Sequence, residues 1–292
     1  MLERVAIYFK DNNLKTKDGV DRLVDEFHRR GIKTRIFQKL MTGITAHVWE
    51  TVEKPRHLTY SSEEADLVLS VGGDGTFLET VLNVKDLGIP IAGVNTGRMG
   101  FLANISADEI SNSIDMLCNS EYEIIERCLL QISHPEEIFD GNPSLALNEI
   151  TIQKADLSMI TISVFIDETH LNTYWADGLI VSTATGSTAY NLSVGGPILS
   201  PDDESLIILP IAPHNLTIRP IILSGEGKIR MVISGRSKEY LTTCDFRSKR
   251  MPFSEEIHIV RAPVKIKTVM LKGNDFYSTL RTKLMWGADT RN

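Results

Sequence analysis

Asp74 is the residue of this chain best placed to do chemistry, because it stands in Gly72-Gly73-Asp74-Gly75-Thr76 directly after the apolar run Leu67 to Val71. A short apolar run without alternation reads as a strand buried on both faces of a parallel sheet, and Thr76 onward reads as a helix start. The carboxylate therefore falls in a strand-to-helix turn. Glycines there let the backbone approach a ligand with several N–H groups facing one way, which suits phosphate oxygens. Asp74 itself repels phosphate, which leaves it to accept a hydroxyl proton or to hold a metal ion. Both tasks serve phosphoryl transfer. The dinucleotide fingerprint G-x-G-x-x-G fails, since Leu78 stands where its third glycine belongs, and no G-x-x-x-x-G-K-[ST] occurs in the chain.

A second dense segment runs from Asp177 to Pro201, DGLIVSTATGSTAYNLSVGGPILSP. It places an apolar strand before Thr185, Gly186, Ser187 and Thr188, then a short helix, then Gly195-Gly196-Pro197. Hydroxyls and free N–H groups at a helix start suit ribose and phosphate oxygens. Asn148 and Glu149 precede another strand, and an amide beside a carboxylate can read the donor and acceptor edge of an adenine or a carboxamide.

The elements that must position these residues change character along the chain. From Val5 to about Ile105, short apolar runs (Val5 to Phe9, Thr34 to Phe37, Leu67 to Val71, Ile89 to Asn95) alternate with helical patterns (Lys17 to Arg30, Thr76 to Leu87). That alternation predicts a parallel sheet covered by helices, with sites beyond the carboxyl ends of the strands, where Gly72 to Thr76 and Asn95 to Gly100 both fall. A helix over Ala107 to Ser120 follows. Beyond it come β-branched runs with turn signals, including Tyr122 to Ser133, Leu145 to Gln153, Ile160 to Ile166, Gly178 to Ser182, Ile221 to Leu223, Lys228 to Ile233 and Ile257 to Arg261, so the remainder is mostly β. Asp140 to Pro143 reads as a loop, and Asp167 and Glu168 as a hairpin turn. The expected division is an α/β domain over 1–105, with a Rossmann- or flavodoxin-like parallel sheet, and a β-rich, sandwich-like domain over 106–274. The helical pattern of 275–292 is expected to pack back on the first domain.

At 292 residues with 42% hydrophobic and 24% charged content, the chain is ordinary for a folded protein of two domains. A net charge of −7 argues against nucleic acid as a partner, so anionic small ligands need local cations. Three cysteines without C-x-x-C spacing fit a reduced cytoplasm and offer no zinc site. The apolar run near the N-terminus is too short for a signal peptide or a membrane span, which gives no membrane partner.

Taken together, GGDGT at 72–76, NTGRMGFL at 95–102, Asn148-Glu149, DGLIVSTATGSTAY at 177–190, GGP at 195–197 and PHNLTIRP at 213–220 resemble the bacterial NAD kinases over roughly Val5 to Phe246. The resemblance implies transfer of the γ-phosphoryl of ATP to the 2′-hydroxyl of the adenosine ribose of NAD, giving NADP, in a homodimer or homotetramer. It implies Asp74 as proton acceptor. It implies dinucleotide contacts from Gly75, Phe77, Asn148, Glu149, Asp177, Thr188, Ala189, Tyr190, Asn191, Leu192, Ser193 and Ala212, while Trp175, two residues before Asp177, is expected either to stack on a base or to pack. A divalent cation, Mg²⁺ or Mn²⁺, would arrive with ATP, and no protein metal ligands are assigned. Two departures stand out: Ala184 where many relatives have proline, and Arg247 where they often carry a neutral polar residue. Arg247 and Arg98 are expected either to reach a phosphate or to lie solvated. His214 is expected to be a turn residue. The rivals are a lipid or sugar-phosphate kinase that shares GGDGT, and a dinucleotide sensor without catalysis.

Overall fold

In the computed structural model the described residues are 2–10, 14–37, 52–53, 65–97, 100–139 and 141–286. Arg98, Asp140 and the end of the 275–292 pattern lie outside them. The chain divides into two units, Met1–Glu126 with Ile266–Asn292, and Arg127–Lys265.

In the first unit the apolar runs become β1 (Arg4–Phe9), β2 (Lys33–Phe37), β3 (Val52–Glu53), β4 (Leu67–Gly72), β5 (Ile91–Asn95) and β6 (Ile105–Ser106), with helices α1 (Leu14–Arg29), α2 (Asp74–Val84) and α3 (Ile110–Cys118) between them. The strands pair in parallel in the order β3-β2-β1-β4-β5, and β6 adds to the end of β5. Every residue of β4 and β5 is buried, as an unalternating run requires when helices cover both faces. The expected boundary near residue 105 falls before α3. Ile110, Ile114 and Leu117 of that helix share one core with Val20, Leu23 and Phe27 of α1, which ties α3 to the first unit.

The second unit is antiparallel. Its strands are β7 (Tyr122–His134), β8 (Leu145–Ala146), β9 (Glu149–Lys154), β10 (Ile160–Ile166), β11 (Thr169–Ala176) and β12 (Gly178–Ser182). The short helix α4 (Tyr190–Ser193) follows, then β13 (Leu206–Ile211), β14 (Ile221–Leu223), β15 (Ile229–Gly235), β16 (Glu239–Cys244), β17 (Arg247–Pro252) and β18 (Ile257–Leu271). One sheet runs β14-β13-β12-β9-β16-β17, and the other runs β11-β10-β15-β18 with β7 and β8 beside it. Inward residues of both, among them Ile150, Ile152, Leu179 and Val181 from the first and Ile160, Ile162, Met231 and Ile259 from the second, form a single core, as in a sandwich. Asp167 and Glu168 turn the β10–β11 hairpin with both φ positive, at 46° and 64°, which matches the right-handed twist of its strands.

β18 runs well past the expected Arg261, and its Thr268 pairs in parallel with Ile91 of β5 in the first unit's sheet. The helix α5 (Phe276–Leu284) then belongs to that unit. Asp275 caps it by accepting the Ser278 N–H at 2.8 Å, and it ends at Met285 in the left-handed region.

Candidate active site

Gly72 ends β4 with φ of +152°, and a Cβ there would overlap Thr76. Gly73 is extended, and its carbonyl accepts the N–H groups of Thr76 and Phe77, so α2 begins two residues before the expected Thr76. Asp74 thereby sits in the first turn of α2. Gly73 and Gly75 stay exposed. Thr80 of α2 donates to Ser70 of β4 at 2.9 Å, joining helix to strand inside the core.

Asp74 is held from across the turn. Its Oδ2 accepts the Phe101 N–H at 2.9 Å, and its Oδ1 accepts those of Leu102 at 3.2 Å and Ala103 at 3.0 Å. Asn95, at the end of β5, shapes the same loop by accepting the Gly97 N–H at 2.6 Å. Gly100 lies so close to the carboxylate that any Cβ would overlap it. Of four lone-pair directions on a carboxylate, three are taken and one, on Oδ2, remains open among the described residues. Lys283 of α5 places its Nζ 5.1 Å from the centroid of the Phe101 ring, and Asp74 acts on its charge. Phe77, expected to line a nucleotide pocket, is only 1% exposed and packs inward from α2.

In the second unit, Asn148 and Glu149 open β9 where a different carboxylate holds the backbone. Asp245 turns β16 into β17 at φ of 52° and accepts the N–H groups of Leu147 at 2.8 Å, Asn148 at 2.8 Å and Glu149 at 3.2 Å. Residue 245 as a whole is half-buried, and enclosure of its carboxylate raises the pKa to about 6 against the pull of those three N–H groups and Arg247. Glu149 is 8% exposed, with one carboxyl oxygen unpartnered. Burial first, and the Asp245 charge second, push its pKa up to about 8, while the Tyr190 N–H opposes them.

Arg247, expected to reach a phosphate or to lie solvated, is half-buried and engaged with the backbone. Its guanidinium donates to the carbonyls of Pro143 at 2.8 Å and Leu145 at 2.5 Å and covers the Phe139 ring at 4.6 Å. The amide nitrogen of Asn191 is likewise engaged within the protein, while its Oδ1 has no partner among the described residues. The residue is fully buried, and its Nδ2 donates to the carbonyls of Ser187 and Pro197, both at 2.9 Å, fastening the 187–197 segment. Thr188, Ala189, Tyr190 and Leu192 are half-buried and Ser193 is exposed, so those side chains remain accessible around α4. Asp177 pairs with Lys154 at 2.7 Å, a cation the sequence had not singled out. Trp175 is 56% exposed, Ala212 is exposed at φ of 45°, and the backbone N–H of exposed His214 donates to the Trp175 carbonyl at 2.9 Å. Asp245 and Lys283 are the residues sequence reasoning missed. A lone Asp in a hairpin turn and a Lys in a helix have no local signature, since their partners lie about 100 and 180 positions away in the chain.

An exposed glycine turn with one aimed carboxylate, on a unit of parallel strands, joined in one chain to a sandwich with an amide–carboxylate pair, defines a phosphotransferase that works on a nucleotide. Comparison with known proteins makes this particular. Residues 10–122 match the model of the ATP-NAD kinase N-terminal domain, and residues 147–271 that of the ATP-NAD kinase C-terminal domain. The chain is 39% identical to the NAD kinase of Christiangramia forsetii and 44% identical to that of Flavobacterium psychrophilum, in each case over 99% of this chain and 100% of the relative. Among solved structures it resembles an NAD kinase from Archaeoglobus fulgidus in complex with ATP, at TM-score 0.74 and 26% identity over 97% of this chain and 98% of that one. It shares its fold with yeast NADH kinase complexed with NADH, at TM-score 0.80 and 23% identity over 99% and 89%. The chain belongs to the ATP-NAD kinase family.

Proposed function

We propose that the chain is an NAD kinase, moving the γ-phosphoryl of ATP onto the 2′-hydroxyl of the adenosine ribose of NAD to give NADP, with Asp74 at the centre of the reaction. The observation that carries this is the open lone pair of Asp74 beside an exposed glycine turn. Three backbone donors fix the carboxylate, so a hydroxyl donating to the remaining Oδ2 position is aimed without reorganisation. As the 2′-oxygen bonds to the γ-phosphorus, the bond from that phosphorus to the bridging oxygen breaks and its electron pair leaves on ADP. The hydroxyl proton passes to Asp74. Phosphoryl transfer has a loose transition state, so aim and charge neutralisation outweigh base strength. Mg²⁺ enters as part of the ATP substrate; among the described residues no cluster of His, Cys, Asp or Glu forms a resident metal site.

Asn148, Glu149, Asp177 and the 188–193 segment are assigned to NAD. A neutral Glu149 donates as well as accepts, which suits ribose hydroxyls or the carboxamide. The cysteines are free, in keeping with a cytoplasmic enzyme, and among the described residues no helix is long and apolar enough to cross a membrane. Exposed Trp175, Leu216 and Ile222 offer apolar surface for the homodimer or homotetramer we assign, which sedimentation velocity tests.

The decisive experiment is turnover of purified protein with NAD, ATP and Mg²⁺, read through an NADP-specific dehydrogenase, with Asp74→Asn alongside. We expect NADP from wild type and a loss of at least ~10²-fold in the variant, the scale of removing one preorganised group. No NADP from folded wild type would defeat the assignment, and near-normal turnover in the variant would remove Asp74 from the mechanism.

A further inference from the structure

Phosphoryl transfer concentrates negative charge where the nucleotide meets the protein, and this chain carries a net charge of −7. A local cation is therefore required close to the glycine turn. On α2 itself, Asp74 and Glu79 are the charged residues, both acidic, and Glu79 is already engaged by Tyr8 at 2.8 Å and by Lys10. Arg98 lies outside the described residues. The cation that the fold does bring to Asp74 comes from the other end of the unit's sequence.

That cation is Lys283. It stands in the last turn of α5, half-buried, with its Nζ over the ring of Phe101, the residue whose N–H holds Asp74 Oδ2. Among the described residues its ammonium has no carboxylate or carbonyl in hydrogen-bonding reach: the aromatic face and the nearby charge of Asp74 are its surroundings. Burial holds its pKa below the ordinary lysine value, with Asp74 pulling the other way. A half-buried ammonium that keeps all three donors unspent is unusual, since lysines that lose water normally find an acceptor. Neighbouring cations on the helix are otherwise placed: Arg281 is exposed.

Resting on the phosphoryl transfer proposed above, we propose that Lys283 is a catalytic residue of this enzyme, donating to a phosphate oxygen of the nucleotide bound at the Gly72–Thr76 turn and neutralising the charge that spreads over the transferring group. Phe101 couples the two sides of the site. Its backbone aims the carboxylate and its ring holds the ammonium, so proton acceptor and phosphate cation share one loop. The ring face supports the charge without consuming a donor. Residue 283 lies beyond the span matched by the family's C-terminal model, which stops at 271.

The test is steady-state kinetics of full-length Lys283→Met, Lys283→Arg and Arg281→Met, with melting temperatures, beside wild type and Asp74→Asn. Methionine keeps the stem's packing and removes the charge. We expect Lys283→Met to lose at least ~10-fold in kcat, with KM for NAD within about twofold, because an interaction made in the transition state appears in kcat. Lys283→Arg should recover most of that loss, and Arg281→Met should match wild type. Wild-type kcat in Lys283→Met would overturn the proposal, as would a loss that arginine does not restore and that a lowered melting temperature accompanies. If wild type makes no NADP, the kinase assignment fails; if Asp74→Asn is inactive while Lys283→Met is not, the role of Lys283 alone fails.

Discussion

Asp74 and Gly100 are paired by shape, and this makes Gly100 the most exacting position of the site. A Cβ at residue 100 would overlap the Asp74 carboxylate, while its φ is one any residue adopts, so the cost of Gly100→Ala is displacement of Asp74 rather than backbone strain. We expect kcat to fall by on the order of 10²-fold, as a misplacement of about 1 Å can cost, with the melting temperature little changed. Gly75 is the contrast. A Cβ there meets open space, so Gly75→Ala should hold or raise thermal stability, alanine being favoured over glycine in a helix by ~1 kcal/mol, and should instead raise KM for the nucleotide that approaches the turn. Glu149 supplies a pH signature. Its folded pKa of about 8 lies above the ordinary 4.5, so the native state holds a proton that the unfolded chain has released, and the stability this gives is full at low pH and lost as pH rises through about 8. Glu149→Gln, which keeps the neutral shape, should flatten the decline of melting temperature between about pH 5 and 8; parallel curves would show that Glu149 is ionised when folded. All three lie in motifs that the sequence offered, but only for Gly75 did the local pattern carry the reason. Gly100 matters through a neighbour 26 positions away, and the state of Glu149 through burial and a carboxylate 96 positions away, neither of which a local pattern encodes.

At the scale of elements, the same device occurs in both units: a carboxylate takes three consecutive N–H groups of a facing segment, Asp74 those of 101–103 and Asp245 those of 147–149. Arg247, two residues on, takes the carbonyls of 143 and 145, so the β16–β17 hairpin holds the strap before β9 by both kinds of backbone group. We expect Asp245→Asn to raise KM for NAD several-fold, because an amide puts a donor against one of those N–H groups, with kcat affected less; unchanged KM would show the Asn148–Glu149 turn to be rigid without its clip. The run around Arg247, Lys249 and Arg250 had read as a phosphate contact or a solvated basic loop. It is β17, paired with β16 alone among the described strands, and its exposed Lys249 and Arg250 are the charges that keep an edge strand from pairing further. Alternation was legible in β10, and an unbroken apolar run in β12. Thr169–Ala176 and Glu239–Cys244 were missed because polar residues on their outward faces break the apolar run, and the sheet rather than the local propensity makes them strands.

Over the whole molecule the chain leaves its first unit at 126 and re-enters it at 266, so the site of the first unit is built from both ends of the sequence. The helix α5 falls in the same compact unit as the N-terminal strands, yet it contributes only one buried side chain, Leu280, and none to the main core of the unit. Its burial is small for its length, which argues that packing is not the whole reason for its return. What it brings is Lys283 over Phe101. Ending the chain after Gly273 removes α5 while leaving β18 and its pairing with β5 intact, so the first unit should still fold, its melting temperature lower by a few degrees for the lost Leu280 contact and cap, each worth about 1–3 kcal/mol. Turnover should fall at least as far as in Lys283→Met, since the cation is gone and the Phe101 loop has lost the chain that covers its ring. A truncated protein that melts near wild type and still makes NADP at the wild-type rate would mean that the helix returns for packing alone, and that the charge neutralising the phosphates comes from elsewhere in the chain.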